Sequence, residues 1–416
     1  MKAAESTLRS LNWLNFSIAA MQAGFGPFIS VRLTDSGWTP GAIGFALSAG
    51  TIASIVAQVP SGAVIDWFGT PRGLAAPAIL CLMLALTLLA LAPAHPLVFM
   101  AELIQGGAGV GLSLAVAAIT LCVSRQEYLG ERFGHNVRYA AVGAAFGTGV
   151  LGVVGTGISP AAVFLIAAVF GLPALAALHG ISGADLATAH RRTSHHTAPP
   201  PAARRSRPVP ARRLLADRRL LALLACAALF QLANASLLPL AATRFPHALG
   251  RRADLVTAVA IVLPQLIAAG LSPRLGAAAG QHGRRLLLMA GLVPVPLRAV
   301  GFALDDGVPA ILALQALDGI TSAAIGVLMP LIVADITHRG GRFNFALGLT
   351  GLAGSVGATL STAASGSLAD HAGLPVAFLA LAAAALAAIL VVWAFLPETA
   401  HLPAALRVAS NGNHSR

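Results

Sequence analysis

Gly62-Ala63-Val64-Ile65-Asp66-Trp67-Phe68-Gly69-Thr70-Pro71-Arg72 interrupts a nearly continuous apolar run near the start of a 416-residue chain. A worn copy returns 214 positions later, as Gly276 through Gly283 followed by Arg284-Arg285. Both keep a glycine, six residues, a second glycine and then an arginine, and both lie between two hydrophobic segments. The segments on either side are long enough to decide what kind of molecule this is.

The chain is 57% hydrophobic and only 10% charged, with a mean hydropathy of +0.80. A water-facing surface needs far more charge than that. Apolar stretches of about 18–25 residues recur throughout, each able to cross a hydrocarbon core of roughly 30 Å as a helix. They are too continuous, and too poor in alternation, for the strands of a membrane barrel. Twelve spans are expected, at 11–33, 41–65, 73–93, 97–123, 139–158 and 160–181, then at 220–240, 253–273, 286–304, 308–334, 344–366 and 375–396. The first is too long for a signal-peptide core and lacks a cleavage site, so it reads as retained.

Orientation follows from the arginines. With the N-terminus inside, all 27 basic residues except Arg32, Arg244, Arg251, Arg252 and Arg298 fall in cytoplasmic loops, the central segment or the tail. Positive charge is retained on the cytoplasmic face, so both termini are expected there, in a multi-pass protein of the cell (inner) membrane. The net charge of +12 then reports topology, and nucleic-acid binding is excluded as its cause. The chain divides into a bundle at 1–181, an Arg/Pro-rich linker at 182–219, a second bundle at 220–398 and a cytoplasmic tail at 399–416. The middle of the linker, His195-His196-Thr197-Ala198-Pro199-Pro200-Pro201, has almost no large apolar residue and reads as a disordered tether. Its histidine pair reads as solvated, and the sequon at Asn413 lies on the wrong side for glycosylation.

The Gly62–Arg72 stretch resembles the loop between the second and third helices of major facilitator superfamily transporters, G-x-L-a-D-r-x-G-r-r. The likeness covers essentially the whole chain, because the repetition extends further. Pro27-x4-Arg32 matches Pro239-x4-Arg244, and Gln22 matches Asn234, both offset by 212. Glu102-Leu103-Ile104-Gln105-Gly106 matches Gln315-Ala316-Leu317-Asp318-Gly319, offset by 213. The resemblance implies an all-α fold of two pseudo-symmetric six-helix bundles, with a solute site at the midplane between them. It implies a small-molecule substrate, a lipid bilayer around a monomer, and no cofactor or metal.

Charge inside a bilayer costs from about 2.5 kcal/mol upward, so it normally faces the bundle interior and has a task. Glu102, Asp318 and Arg298 are the candidates. Glu102 and Gln105 share a helix face, as do Gln315 and Asp318. In the family the first, fourth, seventh and tenth helices line the cavity, which would set a carboxylate–amide pair on each side of one pathway, with Gln22 and Asn234 at mid-membrane. A carboxylate in such a cavity holds a proton more readily than in water, so Glu102 and Asp318 are candidates for binding a proton or a cationic solute group. The competing reading is that Arg298 merely neutralises Asp318.

The exporter pattern R-x-x-q-G-x-g breaks here, since a glutamate stands at Glu102 where an arginine is expected. The Gly-Pro-x-x-Gly-Gly ending of antiporters is absent too: Gly143, Gly147, Gly149, Gly152, Gly155 and Gly157 occur without that proline, as small residues that let helices approach.

In the family the aspartate matching Asp66 rests on the start of the eleventh helix, held by its N-terminal dipole. Gly62 and Gly69 would permit the approach and Arg72 would join the charge network. The copy, with Gly276, Gly283, Arg284 and Arg285, has Gly280 in place of the aspartate, so only the first loop should latch strongly. Gly366 through Gly373 reads as an outer-loop turn with a structural Asp370. Arg342-Phe343-Asn344 resembles Arg132-Phe133 with Asn136 and reads as a helix start with charge anchors.

Cys81, Cys122 and Cys226 are scattered inside spans, and no phosphate-binding loop, zinc signature or nucleophile elbow occurs. An enzyme is therefore not expected. The reading favoured is proton-coupled, antiporter-type efflux of a drug-like compound or secreted metabolite such as a siderophore. A metabolite importer or facilitator and a non-transporting membrane sensor are the alternatives.

Overall fold

A computed structural model describes residues 2–25, 27–91, 94–181, 211–243, 253–338 and 341–399. Regular structure among the described residues is entirely helical, as it must be for a chain with no water to satisfy its backbone in a membrane. Twelve helical segments are long and apolar enough to cross a bilayer. Spans 1–6 are Glu5–Asp35, Gly41–Phe68, Pro71–Leu91, His95–Val123, Gln126–Gly155 and Pro160–His179. Spans 7–12 are Arg218–Ala242, Ala258–Ala278, Arg284–Leu304, Val308–Thr337, Phe343–Ala372 and Leu374–Phe395. An even number of crossings puts the start of span 1 and the end of span 12 on one side, called here the terminal side. The other is the far side.

Two cores explain the two bundles. One buried cluster runs from Leu11 to Ile181, wholly within spans 1–6 and their flanks. The second runs from Leu214 to Leu396 and takes in Leu129 and Phe133 of span 5. A small third cluster joins Ala141 of span 5 to Ala268 and Ala269 of span 8 and Ala323 of span 10.

Span 1 and span 7 break at matching points. In span 1 the α-helix Lys2–Gln22 gives way to a 3-10 turn, Ala23–Phe25, before helix Pro27–Asp35. In span 7 helix Arg218–Asn234 stops, and Leu237–Ala242 resumes after two residues. Each break follows the matched amide, Gln22 or Asn234, and precedes Pro27 or Pro239, which lack the N–H that would continue the ladder. Span 9 breaks likewise at Pro294, between helices Arg284–Leu292 and Pro294–Leu304.

Three boundaries differ from the sequence expectation. Span 5 was expected from 139, yet its helix spans Leu129–Gly157; its first turns are polar but are buried by hydrogen bonds described below. The segment Gly366 to Gly373 is no loop turn. It is the end of helix Phe343–Ala372, closed by Gly373 at φ +89°, so Asp370 lies in a helical turn. Of the linker expected at 182–219, residues 182–210, with the His195-His196 pair, lie outside the described residues, whereas Ala211–Leu215 is a short helix and span 7 begins at Arg218. The tail beyond Thr399, with Asn413, is also outside them.

Candidate functional site

The halves meet through glycine crossings on the terminal side. A Cβ built on Gly62 would run into the backbone of Asn344 and, at 3.0 Å, Phe345 Cα. A Cβ on Gly276 would run into the backbone of Gly130 and, at 3.0 Å, Glu131 Cα. The two crossings are one arrangement made twice, since Gly62 pairs with Gly276 and Gly130 with Asn344 at the same offset of 214. Gly134 against Ser272 and Pro273, and Gly348 against Gln58, extend the two seams inward. Toward the far side spans 5 and 8 part around a cleft of about 470 Å³ lined by Gly149, Gly152, Val153 and Leu266, among others.

The Gly62–Arg72 stretch forms the helix end and turn its composition asks for. Gly69, at φ +65°, closes helix Pro40–Phe68 and Pro71 opens the next. One turn earlier, Asp66 accepts hydrogen bonds from the N-terminus of span 11. The donors are Phe345 N at 2.8 Å, Asn344 N at 3.2 Å and Asn344 Nδ2 at 2.8 Å. A carboxylate here meets both orphan amides and the positive end of the helix dipole. Arg72 stays in its own half, donating from Nη2 to His179 O at 3.3 Å.

The second copy is held by other groups. Arg284 pairs with the buried Asp335 of span 10, and the other oxygen of Asp335 accepts from Gln126 Nε2 of the first half at 3.3 Å. Glu398, just beyond span 12, accepts from Arg284 N at 2.9 Å and Arg285 N at 3.2 Å, capping span 9 beside Gly283 at φ +85°. Arg285 also donates to Trp393 O.

Between the halves lies a cavity of about 690 Å³, lined from spans 1, 2, 4, 5, 7, 10 and 11. Its amides are Asn15, Gln58, Asn136, Gln231 and Asn234, and its hydroxyls Ser113, Ser322, Thr350 and Ser355. Phe133, Phe230, Met329 and Leu347 supply apolar wall. Among the described residues, no charged side chain lines it. Asn15, Gln58, Phe133 and Leu347 place its floor in the terminal half of the membrane, just inside the glycine seams.

The charged candidates stand off this cavity. Arg298, 1% exposed, forms an ion pair with Asp318 and donates at 2.8 Å to both Asn234 Oδ1 and Gln315 Oε1. Four residues picked from sequence thus converge in one cluster, and of these Asn234 alone lines the cavity. The structure thus pairs Arg298 with Asp318. Glu102 and Gln105 face Gly50 of span 2: a Cβ there would lie 2.5 Å from Glu102 Oε2 and 3.5 Å from Gln105 Oε1. Glu102 is 4% exposed and its Oε1 is buried with no hydrogen-bond partner among the described residues. It lies 11 residues from Ser113 on the same helix, about 16 Å toward the far side. The expected pair of carboxylate–amide couples flanking one pathway is therefore not what forms. Gln22 points to span 4, with Nε2 3.8 Å from a Cβ built on Gly109.

Sequence reading missed the polar group at the base of span 5. Arg132, buried inside the helix, donates from Nη2 to Asn12 Oδ1 at 2.5 Å and to Asn136 Oδ1 at 2.8 Å, and from Nε to Asn136 Oδ1 at 3.1 Å. Asn136 Nδ2 in turn donates to Thr120 Oγ1 at 2.6 Å. Likening Arg132 to Arg342 concealed this. The seams align Gly130 with Asn344, so Arg132 corresponds to Ala346 and Arg342 to Tyr128. The available signal was spacing, since Arg132 and Asn136 are four apart on one helix face. Among the described residues no three His, Cys, Asp or Glu side chains gather as a metal site would require.

A family model for the major facilitator superfamily matches residues 11–295 and 247–412. Two uncharacterized MFS-type transporters of Mycobacterium tuberculosis, from strains CDC 1551 / Oshkosh and ATCC 25618 / H37Rv, are each 31% identical over 400 residues, covering 94% of this chain and 93% of theirs. The human organic anion transporter MFSD10 superposes with a TM-score of 0.72 at 13% identity, covering 94% of this chain and 99% of its own. The proton:xylose symporter XylE, bound to 6-bromo-6-deoxy-D-glucose, superposes at 0.69 with 16% identity, covering 96% of this chain and 97% of its own. With twelve spans in two bundles meeting at duplicated seams, the chain belongs to the major facilitator superfamily.

Proposed function

We propose that this chain is a proton-coupled secondary transporter that exports a small organic solute across the cell membrane by alternating access. The observation that carries the reading is the cavity of about 690 Å³ between the halves, with nine amide and hydroxyl side chains on an otherwise apolar wall. Such a site suits a solute of modest size with several polar atoms. The seams supply the alternation. The Gly62 crossing, Asp66 and the Gly276–Arg285 loop close the terminal side, and the arginine distribution supports reading that side as cytoplasmic. The conformation described is then the one sealed toward the cytoplasm, and release of the Asp66 and Asp335 contacts is the step that turns the cavity around.

Energy comes from protons through Glu102. Its carboxyl is buried, lacks a partner on Oε1 and sits on the far-side half of span 4, where protonation on the outside can be felt before the halves move. Arg298 and Asp318 serve the C-terminal wall by fixing Asn234, and not by carrying protons. The protein works as a monomer without a cofactor.

Purified protein in liposomes containing a pH-sensitive dye tests this. Addition of solute is expected to move protons, and Glu102→Gln to abolish that movement while exchange of solute persists. Solute exchange without any proton flux in the wild type would leave an importer or facilitator. Binding with no flux would leave a sensor.

A further inference from the structure

The charge balance around the cavity is unequal. In the second half Arg298 is answered by Asp318. In the first half Arg132 has no carboxylate partner among the described residues: its hydrogen bonds there end on neutral amide oxygens. Of the five N–H donors of a guanidinium, the bonds occupy Nε and Nη2, and the Nη1 edge has no partner among the described residues.

The nearby acids are engaged elsewhere. Glu131 points to solvent and lies 3.8 Å from His135. Asp66 is taken up by the N-terminus of span 11. Glu102 is on the far-side half of span 4, against Gly50. Asp318 belongs to Arg298, and Asp335 to Arg284. A buried cation answered only by neutral groups is costly unless something else completes it.

Its position says what that is. Asn136, which takes two of the Arg132 bonds, also lines the cavity, and Asn15 lines it one turn along span 1 from Asn12. Arg132 thus precedes Phe133 of the floor by one residue, and its guanidinium is bonded to Asn136 of the cavity wall. The pseudo-symmetric positions are Ala346 and Thr350, so the opposite wall brings a hydroxyl and no charge. A low-dielectric cavity walled by neutral dipoles and backed on one side by an unanswered cation favours a negative group at that end.

We propose that the solute is an organic anion, a carboxylate or a group of like charge, whose anionic end is held at the Asn12–Arg132–Asn136 floor. Its body lies against Phe133, Phe230 and Met329. The proposal rests on the transporter reading for its consequence but is tested by binding alone.

The test is a matched panel of benzoate, 2-naphthoate and hippurate, their neutral amides, and the amines benzylamine and 2-naphthylmethylamine. Thermal melts of the purified wild type give apparent affinities for each. Carboxylates are expected to bind at least tenfold more tightly than the amides or amines of the same skeleton. Arg132→Gln should remove that preference, and Arg132→Lys should keep part of it. Equal or better binding of amides or amines, binding of no carboxylate, or a folded Arg132→Gln that keeps the preference would each overturn the proposal. The wild-type comparison decides it even if Arg132→Gln does not fold. The same panel as flux into liposomes separates the two readings. Transport of amines or amides alone sinks the anion and spares the transporter. Carboxylate binding with no flux spares the anion and sinks the transporter.

Discussion

Replacing Asp66 with asparagine should open the terminal side, and the structure gives the size of the effect. The carboxylate accepts three hydrogen bonds on two oxygens, all from Asn344 and Phe345 at the start of span 11. Asparagine offers one acceptor oxygen and places an NH2 against a donor, so at least one bond to a charged acceptor is lost, about 1.5–3 kcal/mol. Loss of the charge at the helix N-terminus removes about 0.3–1 kcal/mol more. The sum, about 2–4 kcal/mol, changes the balance of closed to open states by roughly 30- to 700-fold, at tenfold per 1.4 kcal/mol. Spin labels at Thr70→Cys and Gln281→Cys, both exposed on terminal-side loops of opposite halves, would report it, with Cys81, Cys122 and Cys226 replaced by alanine. In Asp66→Asn the longer-distance component should grow from a minor to a leading share. A distance distribution superimposable on that of the parent would refute the reasoning. A drop in melting temperature alone would show that Asp66 only stabilises span 11.

Three further outcomes are expected. Gly276→Ala pushes a methyl into the Gly130 backbone, so it should lengthen the same label distance as Asp66→Asn does; a closed-state distance would show that the second seam has slack. Arg298→Ala leaves Asp318 charged and Gln315 without its donor, and should destabilise the fold by about 3–5 kcal/mol; the Arg298→Leu, Asp318→Leu double variant should recover part of the loss in thermal melts. Glu398→Ala uncaps span 9 at the cost of about 1 kcal/mol, seen as faster hydrogen exchange at Leu286, Leu287 and Leu288, while exchange in span 3 stays unchanged.

Much of the fold is legible in the sequence because the repeat and the hydropathy report the same thing. Span positions follow from apolar length, and the Gly62 and Gly276 loops mark equivalent seams. The breaks after Gln22 and Asn234 are foreshadowed by Pro27 and Pro239. The convergence of Arg298, Asp318, Gln315 and Asn234 follows from the cost of burying each alone. What the sequence conceals is polar residues that are neutral or lie near a span's end. Gln58, Gln231 and Asn15 carry no charge, so nothing in composition sets them apart from loop amides. Arg132 was read as a loop charge because hydropathy begins span 5 at 139. Its burial depends on Asn12, 120 residues away, and no local pattern reports that distance. Glu102 shows the converse error, since a carboxylate and an amide on one helix face need not face the cavity. They face Gly50, where the absent Cβ leaves room.

The two halves keep the same backbone contacts but not the same chemistry, and the reason is geometric. At each crossing the glycine has no room for a Cβ against the facing backbone, so Gly62, Gly130 and Gly276 are required where the spans touch that closely. The polar groups that hold a crossing shut are interchangeable in kind, because any of them need only break when the halves part. The first seam is therefore held by Asp66 on a helix N-terminus, and the second by Gln126 on Asp335, which Arg284 steadies. An exposed ion pair would be screened by salt. The partly buried Asp66 and Asp335 contacts are screened far less, so the balance of open and closed states should respond to solute more than to ionic strength. Arg132 lies on span 5 between Gly130 and Gly134 of the second seam, next to Phe133 of the cavity floor and on the side that opens in the export cycle proposed above. The organic anion proposed above would answer a charge near the floor that has no carboxylate partner among the described residues.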